Sequence, residues 1–352
     1  MTMTTTAATT TAPARALTPA DYASTQEVRW CPGCGDYSII KAVQRALSEI
    51  QAKPEDTVFV SGIGCSSRFP YYIETYGYHT IHGRAPAVAT GIKLANPDLD
   101  VWIVTGDGDG LSIGGNHMAH LLRRNLDCQV LLFNNEIYGL TKGQYSPTSR
   151  QGTRSPSTPF GSVEQPANPS SFALGAGGRF VARVVDVAQK ELLALLKRAR
   201  ANMGTSFVEI YQNCAVFNDG VFAAIADKKS QPNEVVWVEH GKPMLFAKGA
   251  KGLRLNREHL RFEVVDVAGG DWQAAGVFVH DETSRTIAQL LIDLPQGGFP
   301  VALGVLYCDP AQSFDAAVAA QHQRVAAARK PDLAALLRSG ETWSIGGDAS
   351  AA

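Results

Sequence analysis

The residues with the clearest chemical potential stand in Gly106-Asp107-Gly108-Asp109-Gly110, directly after an apolar run at 101–105. Glycines at such a turn let backbone N–H groups approach a diphosphate closely, whereas two carboxylates repel it unless a cation lies between. Asp107 therefore calls for a metal. A second apolar run at 129–133 ends in Asn134-Asn135-Glu136-Ile137-Tyr138-Gly139, which adds an amide oxygen and backbone carbonyls of the kind a hard cation takes. The plain alternative is a pair of glycine-rich strand-to-helix turns without special chemistry.

Six cysteines offer a second chemistry. Cys31-Pro32-Gly33-Cys34-Gly35 is a C-x-x-C turn, which suits a redox dithiol, half of a zinc site or half of an iron–sulfur site. A zinc ribbon brings a second C-x-x-C, and this sequence has none. Cys65 and Cys214 instead stand singly, each just after a strand-like run, at ends able to converge on the C-x-x-C turn. Cys128 begins an apolar run and Cys308 follows one, so both read as small packing residues.

The elements that must position these groups follow from periodicity. Short apolar runs at 57–63, 101–105, 129–133, 180–185 and 206–211 alternate with helical patterns at 85–95, 113–125 and 189–202. That alternation predicts an α/β fold, a parallel sheet with helices on both faces, whose strand ends hold ligands. The long glycine- and proline-rich loop at 139–169 falls at those ends. Around this core, residues 1–25, largely Thr and Ala, predict a disordered tail, 26–220 the ligand-binding domain, 221–340 a smaller accessory region, and 341–352 a loose tail. Within the accessory region a hairpin is expected around Glu239-His240-Gly241-Lys242, flanked by strands at 235–238 and 244–247.

Composition bounds the function. Across 352 residues, 45% are hydrophobic and 18% charged, with a net charge of 32 − 33 = −1, which excludes a disordered chain and disfavours a nucleic-acid binder. The apolar runs fall far short of the ~20 residues of a membrane helix. Few cysteines for this length point away from a secreted disulfide scaffold and toward reduced thiols in the cytoplasm.

The GDG turn followed by Asn-Asn resembles the signature of thiamine-diphosphate enzymes. That resemblance implies Mg²⁺ held by Asp107, the Asn135 side chain and the Ile137 carbonyl, with Gly108, Asp109, Gly139 and Leu140 lining the cofactor. Adding Cys31–Gly35, Gly62-Ile63-Gly64-Cys65-Ser66-Ser67-Arg68, His82-Gly83-Arg84-Ala85, Gly114-Gly115-Asn116-His117 and the stretch 134–146, the sequence resembles β subunits of 2-oxoacid:ferredoxin oxidoreductases, most nearly the 2-oxoglutarate type. The resemblance covers roughly residues 27–219. It implies a 4Fe-4S cluster on Cys31, Cys34, Cys65 and Cys214, with Arg68 at the substrate carboxylate and Leu140 near the cofactor. Ile63, Gly64, Cys65, Ser66, His82, Gly83, Arg84 and Ala85 are the further cofactor-binding positions it implies.

The implied reaction is oxidative decarboxylation of a 2-oxoacid with coenzyme A, electrons leaving singly through the cluster to ferredoxin, or the reverse carboxylation. The implied assembly is a heterotetramer whose α subunit brings a pyrimidine-binding domain and the activating glutamate. Pyruvate as substrate, or a non-oxidative decarboxylase subunit, are the alternatives. Lys142-Gly143 departs from the Gly-Gly of many relatives, and the segment beyond Asp219 lies outside the strongest resemblance.

Overall fold

The computed structural model describes residues 15–294, 298–328 and 331–343. Among the described residues eleven strands are formed: β1 (Thr57–Ser61), β2 (Tyr76–His79), β3 (Asp100–Gly106), β4 (Gln129–Asn134), β5 (Phe180–Val185), β6 (Ser206–Tyr211), β7 (Val235–Val238), β8 (Leu245–Phe246), β9 (Lys251–Asn256), β10 (Arg261–Asp266) and β11 (Val301–Cys308). Eight of them make one sheet in the order β2-β1-β3-β4-β6-β5-β11-β7, and the remaining three make a small antiparallel sheet, β10-β9-β8. Every pairing in the large sheet is parallel except that of β11 with β5.

The central strands are buried on both faces, which is why they read as continuous apolar runs. Alternate residues divide between two cores. Val58, Val60, Ile103, Val130 and Leu132 face the side covered by helices Ala85–Ala95 and Gly115–Arg124. Phe59, Trp102, Val104, Leu131 and Phe133 face the side covered by helices Asp36–Glu49 and Gln189–Ala201. Phe59 and Trp102 are register partners whose rings stack with centroids 5.7 Å apart. Helices on both faces of a largely parallel sheet are thus as the sequence predicts.

The C-terminal segment departs from expectation. No hairpin joins 235–238 to 244–247; β7 instead pairs in parallel with β11, while β8 pairs with β9. The turn residues at 239–242 bend the chain out of the large sheet rather than back along β7. Two strands of the segment beyond residue 220 therefore complete the main sheet, and only β8–β10 stand apart from it. A long-range pairing of this kind leaves no local periodic signal.

The N-terminal boundary also shifts. Residues 1–14 and 344–352 lie outside the described residues, but residues 15–25, expected to belong to the tail, pack against the domain. Tyr22 is fully buried, and its hydroxyl donates to the carbonyls of Leu47 and Ala52 at the end of helix Asp36–Glu49. One aromatic residue anchors a segment whose composition alone predicts disorder.

Gly304 makes the C-terminal contribution testable. Its φ is +119°, and a β-carbon there would stand 2.3 Å from the Val238 carbonyl oxygen. Gly304→Ala is expected to destabilise the fold by about 2 kcal/mol or more, read as a lowered thermal midpoint. An unchanged midpoint would show that β7 and β11 are not held against each other as described.

Candidate functional site

Because β1, β3, β4 and β6 run in parallel, their C-terminal ends emerge along one edge, the place where open α/β sheets bind ligands. The four turns that follow carry most of the predicted groups: 62–68 after β1, 107–110 after β3, 135–139 after β4, and 212–214 after β6. Two cavities open there. One, of 780 Å³, is lined by Asp107, Gly108, Asp109, Asn135, Ile137, Gly139 and Leu140 together with Ile63, Gly64, Cys65, Ser66 and His82. The other, of 390 Å³, is lined by Cys31, Cys34, Cys65 and Cys214 with Arg29, Arg68 and Lys142. Cys65, Asn135, Gly139 and Leu140 belong to both walls.

Asp107 is almost wholly buried, and its Oδ2 accepts hydrogen bonds from the hydroxyls of Ser146 and Thr148. Burial pushes its carboxyl up to about 6, against the pull of those neutral donors. A cation beside such a group would hold it ionised. Asn135 directs its Oδ1 to the N–H of Ile137, 3.2 Å away, which leaves that oxygen one lone pair. Among the described residues the Ile137 carbonyl oxygen accepts no hydrogen bond. Asp107, Asn135 and Ile137 thus supply carboxylate, amide and carbonyl oxygens on one cavity wall, a donor set that suits Mg²⁺.

Asp109 has a different part. Its Oδ1 accepts from the backbone N–H groups of Ile63 and Gly83, at 3.0 and 2.7 Å, and from His82 Nδ1 at 2.7 Å; its Oδ2 accepts from Thr105 at 2.6 Å. With both oxygens engaged it ties three loops together rather than awaiting a cation. The space is tight: a β-carbon on Gly62 would stand 2.0 Å from Asp109 Oδ2, and one on Gly108 would stand 2.2 Å from the Tyr138 ring. Glycine is needed there for approach.

Of the positions expected to bind cofactor, Gly83, Arg84 and Ala85 do not line the large cavity. Gly83 spends its N–H on Asp109, Arg84 donates to the Ile113 carbonyl, and Ala85 is buried at the start of helix Ala85–Ala95. Arg68 lies on the thiol cavity, its Nη1 3.3 Å from the Tyr72 hydroxyl, and not on the wall beside Asp107. Lys142 lines the same thiol cavity.

All four thiols are free, and Cys31 is exposed while the other three are half-buried. Burial pushes Cys34 well above the ordinary thiol range and Cys65 up to about 12. The C-x-x-C turn is fastened to the Cys214 turn by the Gly35 N–H, which donates to the Asn213 carbonyl at 3.0 Å. Trp30 Nε1 donates to the Cys65 carbonyl at 2.7 Å, fixing the third turn against the first. A β-carbon on Gly139 would stand 3.5 Å from Cys214 Sγ and 3.6 Å from Cys65 Sγ, so this residue is the partition between the cavities. Among the described residues no three His, Cys, Asp or Glu side chains close around a single point as one metal ion requires. The thiols surround a volume instead. Cys128 and Cys308 are buried away from it, as packing residues.

Sequence reasoning missed the groups beneath the site. Arg183 on β5 and Glu209 on β6 are register partners and form a buried ion pair at 3.0 Å, with Ser170 donating to the same Glu209 oxygen. Glu209 in turn accepts from Asn134 Nδ2 at 2.9 Å, and Asn134 Oδ1 faces Thr148 at 3.0 Å. A charged residue in the middle of an otherwise apolar buried strand was the available signal.

Fold and site together define a thiamine-pyrophosphate-binding α/β protein: residues 62–210 match the family model for the thiamine pyrophosphate enzyme C-terminal TPP-binding domain. The chain is 34% identical to a solved 2-oxoglutarate:ferredoxin oxidoreductase chain from Magnetococcus marinus, with a TM-score of 0.75, covering 93% of this chain and 97% of that one; that structure holds 2-oxoglutarate, coenzyme A and succinyl-CoA. It is 43% identical to 2-oxoglutarate synthase subunit KorB of Methanocaldococcus jannaschii over 53% of this chain and 70% of that one. It is 57% identical to 2-oxoglutarate oxidoreductase subunit KorB of Mycobacterium tuberculosis over 66% of this chain, an alignment that covers 61% of that relative's length. The chain belongs to the family of 2-oxoacid:ferredoxin oxidoreductase β subunits. Among the described residues no helix is long and apolar enough to cross a membrane.

Proposed function

We propose that this chain is the catalytic β subunit of a 2-oxoacid:ferredoxin oxidoreductase, with 2-oxoglutarate as the favoured substrate and coenzyme A as acyl acceptor. The observation that carries this is the shared wall: Gly139 and Leu140 separate the cavity at Asp107 from the cavity of the four thiols, and Cys65 and Asn135 belong to both. A cofactor bound in the first cavity would thereby lie beside an electron acceptor held in the second.

Asp107, Asn135 and the Ile137 carbonyl would hold Mg²⁺, and the glycines at 106 and 108 would admit the diphosphate of thiamine diphosphate. When bound, that cofactor supplies the electron sink needed to break the bond between carboxylate and keto carbon. Cys31, Cys34, Cys65 and Cys214 would hold a 4Fe-4S cluster. Each cluster thiolate takes its own iron, and four thiols lining one cavity accord with such a cluster. Arg68 and Lys142, beside that volume, would offset its negative charge; Arg68 on this wall can reach a substrate carboxylate only where the cavities meet.

The family model matched is one thiamine-binding domain, so the pyrimidine-binding domain and activating glutamate are assigned to an α subunit, with ferredoxin as electron acceptor. Six free thiols accord with a cytoplasmic location. The test uses the complex co-expressed with its α subunit and purified anaerobically. Addition of 2-oxoglutarate and coenzyme A is expected to produce the electron paramagnetic resonance signal of a reduced cluster, while the chain alone shows no turnover. A complex containing zinc in place of iron, or a β chain that decarboxylates unaided, would overturn the assignment; iron reduced by pyruvate and not by 2-oxoglutarate would overturn the substrate alone.

A further inference from the structure

Gln212 lines the thiol cavity and hydrogen-bonds both to a thiol there and to Asn135 on the shared wall. It is 1% exposed and follows β6 directly. Its Nε2 donates to the Asn213 carbonyl at 2.7 Å and approaches Cys34 Sγ at 3.3 Å. Its Oε1 accepts from Asn135 Nδ2 at 2.8 Å. The orientation of both amides is forced. The Asn213 carbonyl can only accept, so it fixes the nitrogen end of Gln212; the Ile137 N–H can only donate, so it fixes the oxygen end of Asn135. What remains is one arrangement, in which Gln212 presents a proton to sulfur and an oxygen to the Asn135 amide.

We infer that Gln212 is a positioning residue that couples the two sites, turning the Asn135 side-chain oxygen toward the cation position while its N–H···S bond to Cys34 raises the reduction potential of the iron–sulfur group. This rests on the proposed cofactors. The physical grounds are separate for the two ends. Hydrogen bonds to cluster sulfur stabilise the more negative, reduced state and so raise the potential. A partner that orients a metal ligand typically controls metal affinity by 10–100-fold. Burial of the Gln212 side chain strengthens both, since little water reaches its amide.

Two substitutions separate the ends. Gln212→Met removes donor and acceptor in a similar volume; Gln212→Glu keeps an oxygen for Asn135 and removes the donor to sulfur. The αβ complex is prepared anaerobically, and two quantities are measured without turnover: the cluster midpoint potential by redox titration under electron paramagnetic resonance, and Mg²⁺-dependent binding of thiamine diphosphate by calorimetry. Both variants are expected to shift the midpoint to more negative potential. Gln212→Met is also expected to weaken cofactor binding at least about tenfold, whereas Gln212→Glu binds within about threefold of wild type. Should Gln212→Met fail to assemble, the potential shift in Gln212→Glu and its near-normal cofactor binding carry the test. An unchanged midpoint in either assembled variant overturns the coupling, as does undiminished cofactor binding in Gln212→Met. A wild-type complex without iron or without cofactor binding overturns the functional assignment itself, and the role of Gln212 with it.

Discussion

Replacing Asp107 with alanine is expected to abolish Mg²⁺-dependent binding of thiamine diphosphate by the assembled enzyme, weakening it at least about a hundredfold and taking turnover to background. The magnitude follows from what else the wall contains. Asn135 and Ile137 offer only neutral oxygens, so Asp107 is the single anionic group of the proposed set, and loss of a direct ligand exceeds the 10–100-fold typical of residues that merely orient one. Asp107→Asn preserves an acceptor for Ser146 and Thr148 and removes only the charge. It should fail almost as completely; binding at wild-type strength in Asp107→Asn would show that no cation sits there. The same carboxyl sets a pH dependence. In the metal-free protein burial raises it to about 6, so a proton competes with the cation below that value. Apparent Mg²⁺ affinity should be nearly constant above about pH 7 and fall by about tenfold per unit well below 6. Calorimetric titrations across that range check the sign.

The second large effect is expected at Cys214. Cys214→Ala should lower the iron content below the roughly four per chain of an intact cluster and abolish electron transfer to a low-potential acceptor. Thiamine diphosphate binding should survive, because Cys214 lines only the thiol cavity and the cofactor wall is built from other turns. The combination is diagnostic. Loss of both iron and cofactor would point to collapse of the turn after β6, whereas full iron with full activity would remove Cys214 from the ligand set. Cys308→Ala is the matched control. That residue is buried against the helix Gln189–Ala201 side of the sheet, so its replacement should touch stability and leave iron unchanged.

Much of this site was legible before any tertiary structure. β5 and β6 have the bounds that the apolar runs predict, and β1, β3 and β4 differ from theirs by one or two residues, because strands buried on both faces must be continuously apolar. The GDG and Asn-Asn turns were readable because glycine and acidic residues at a strand end have few structural uses. The C-terminal segment was misread for the converse reason. β7 gains its partner β11 from residues more than sixty positions away, and nothing within 235–247 distinguishes an edge strand of a sheet from one arm of a hairpin. Tyr22 was hidden similarly, one buried ring in a segment of weak composition.

The sequence by itself pointed to two candidate chemistries: a cation-bridged diphosphate at the turns after β3 and β4, and a four-thiol group drawn from three separate loops. Tertiary structure alone decided how those chemistries meet. Spacing along the chain says nothing of the distance between Cys34, Asn135 and Gln212, which depends on the order β1-β3-β4-β6 in which the parallel strands are laid side by side. That order brings the ends of β4 and β6 next to each other, places Gly139 as the partition, and hands Gln212 one hydrogen-bond partner on each side of it. It also separates Asp107 from Asp109, two residues apart in one motif: the first faces the cavity with only neutral donors, while the second is consumed in holding the loops together. Side-chain roles follow from hydrogen-bond partners, and partners are set by the packing of distant segments.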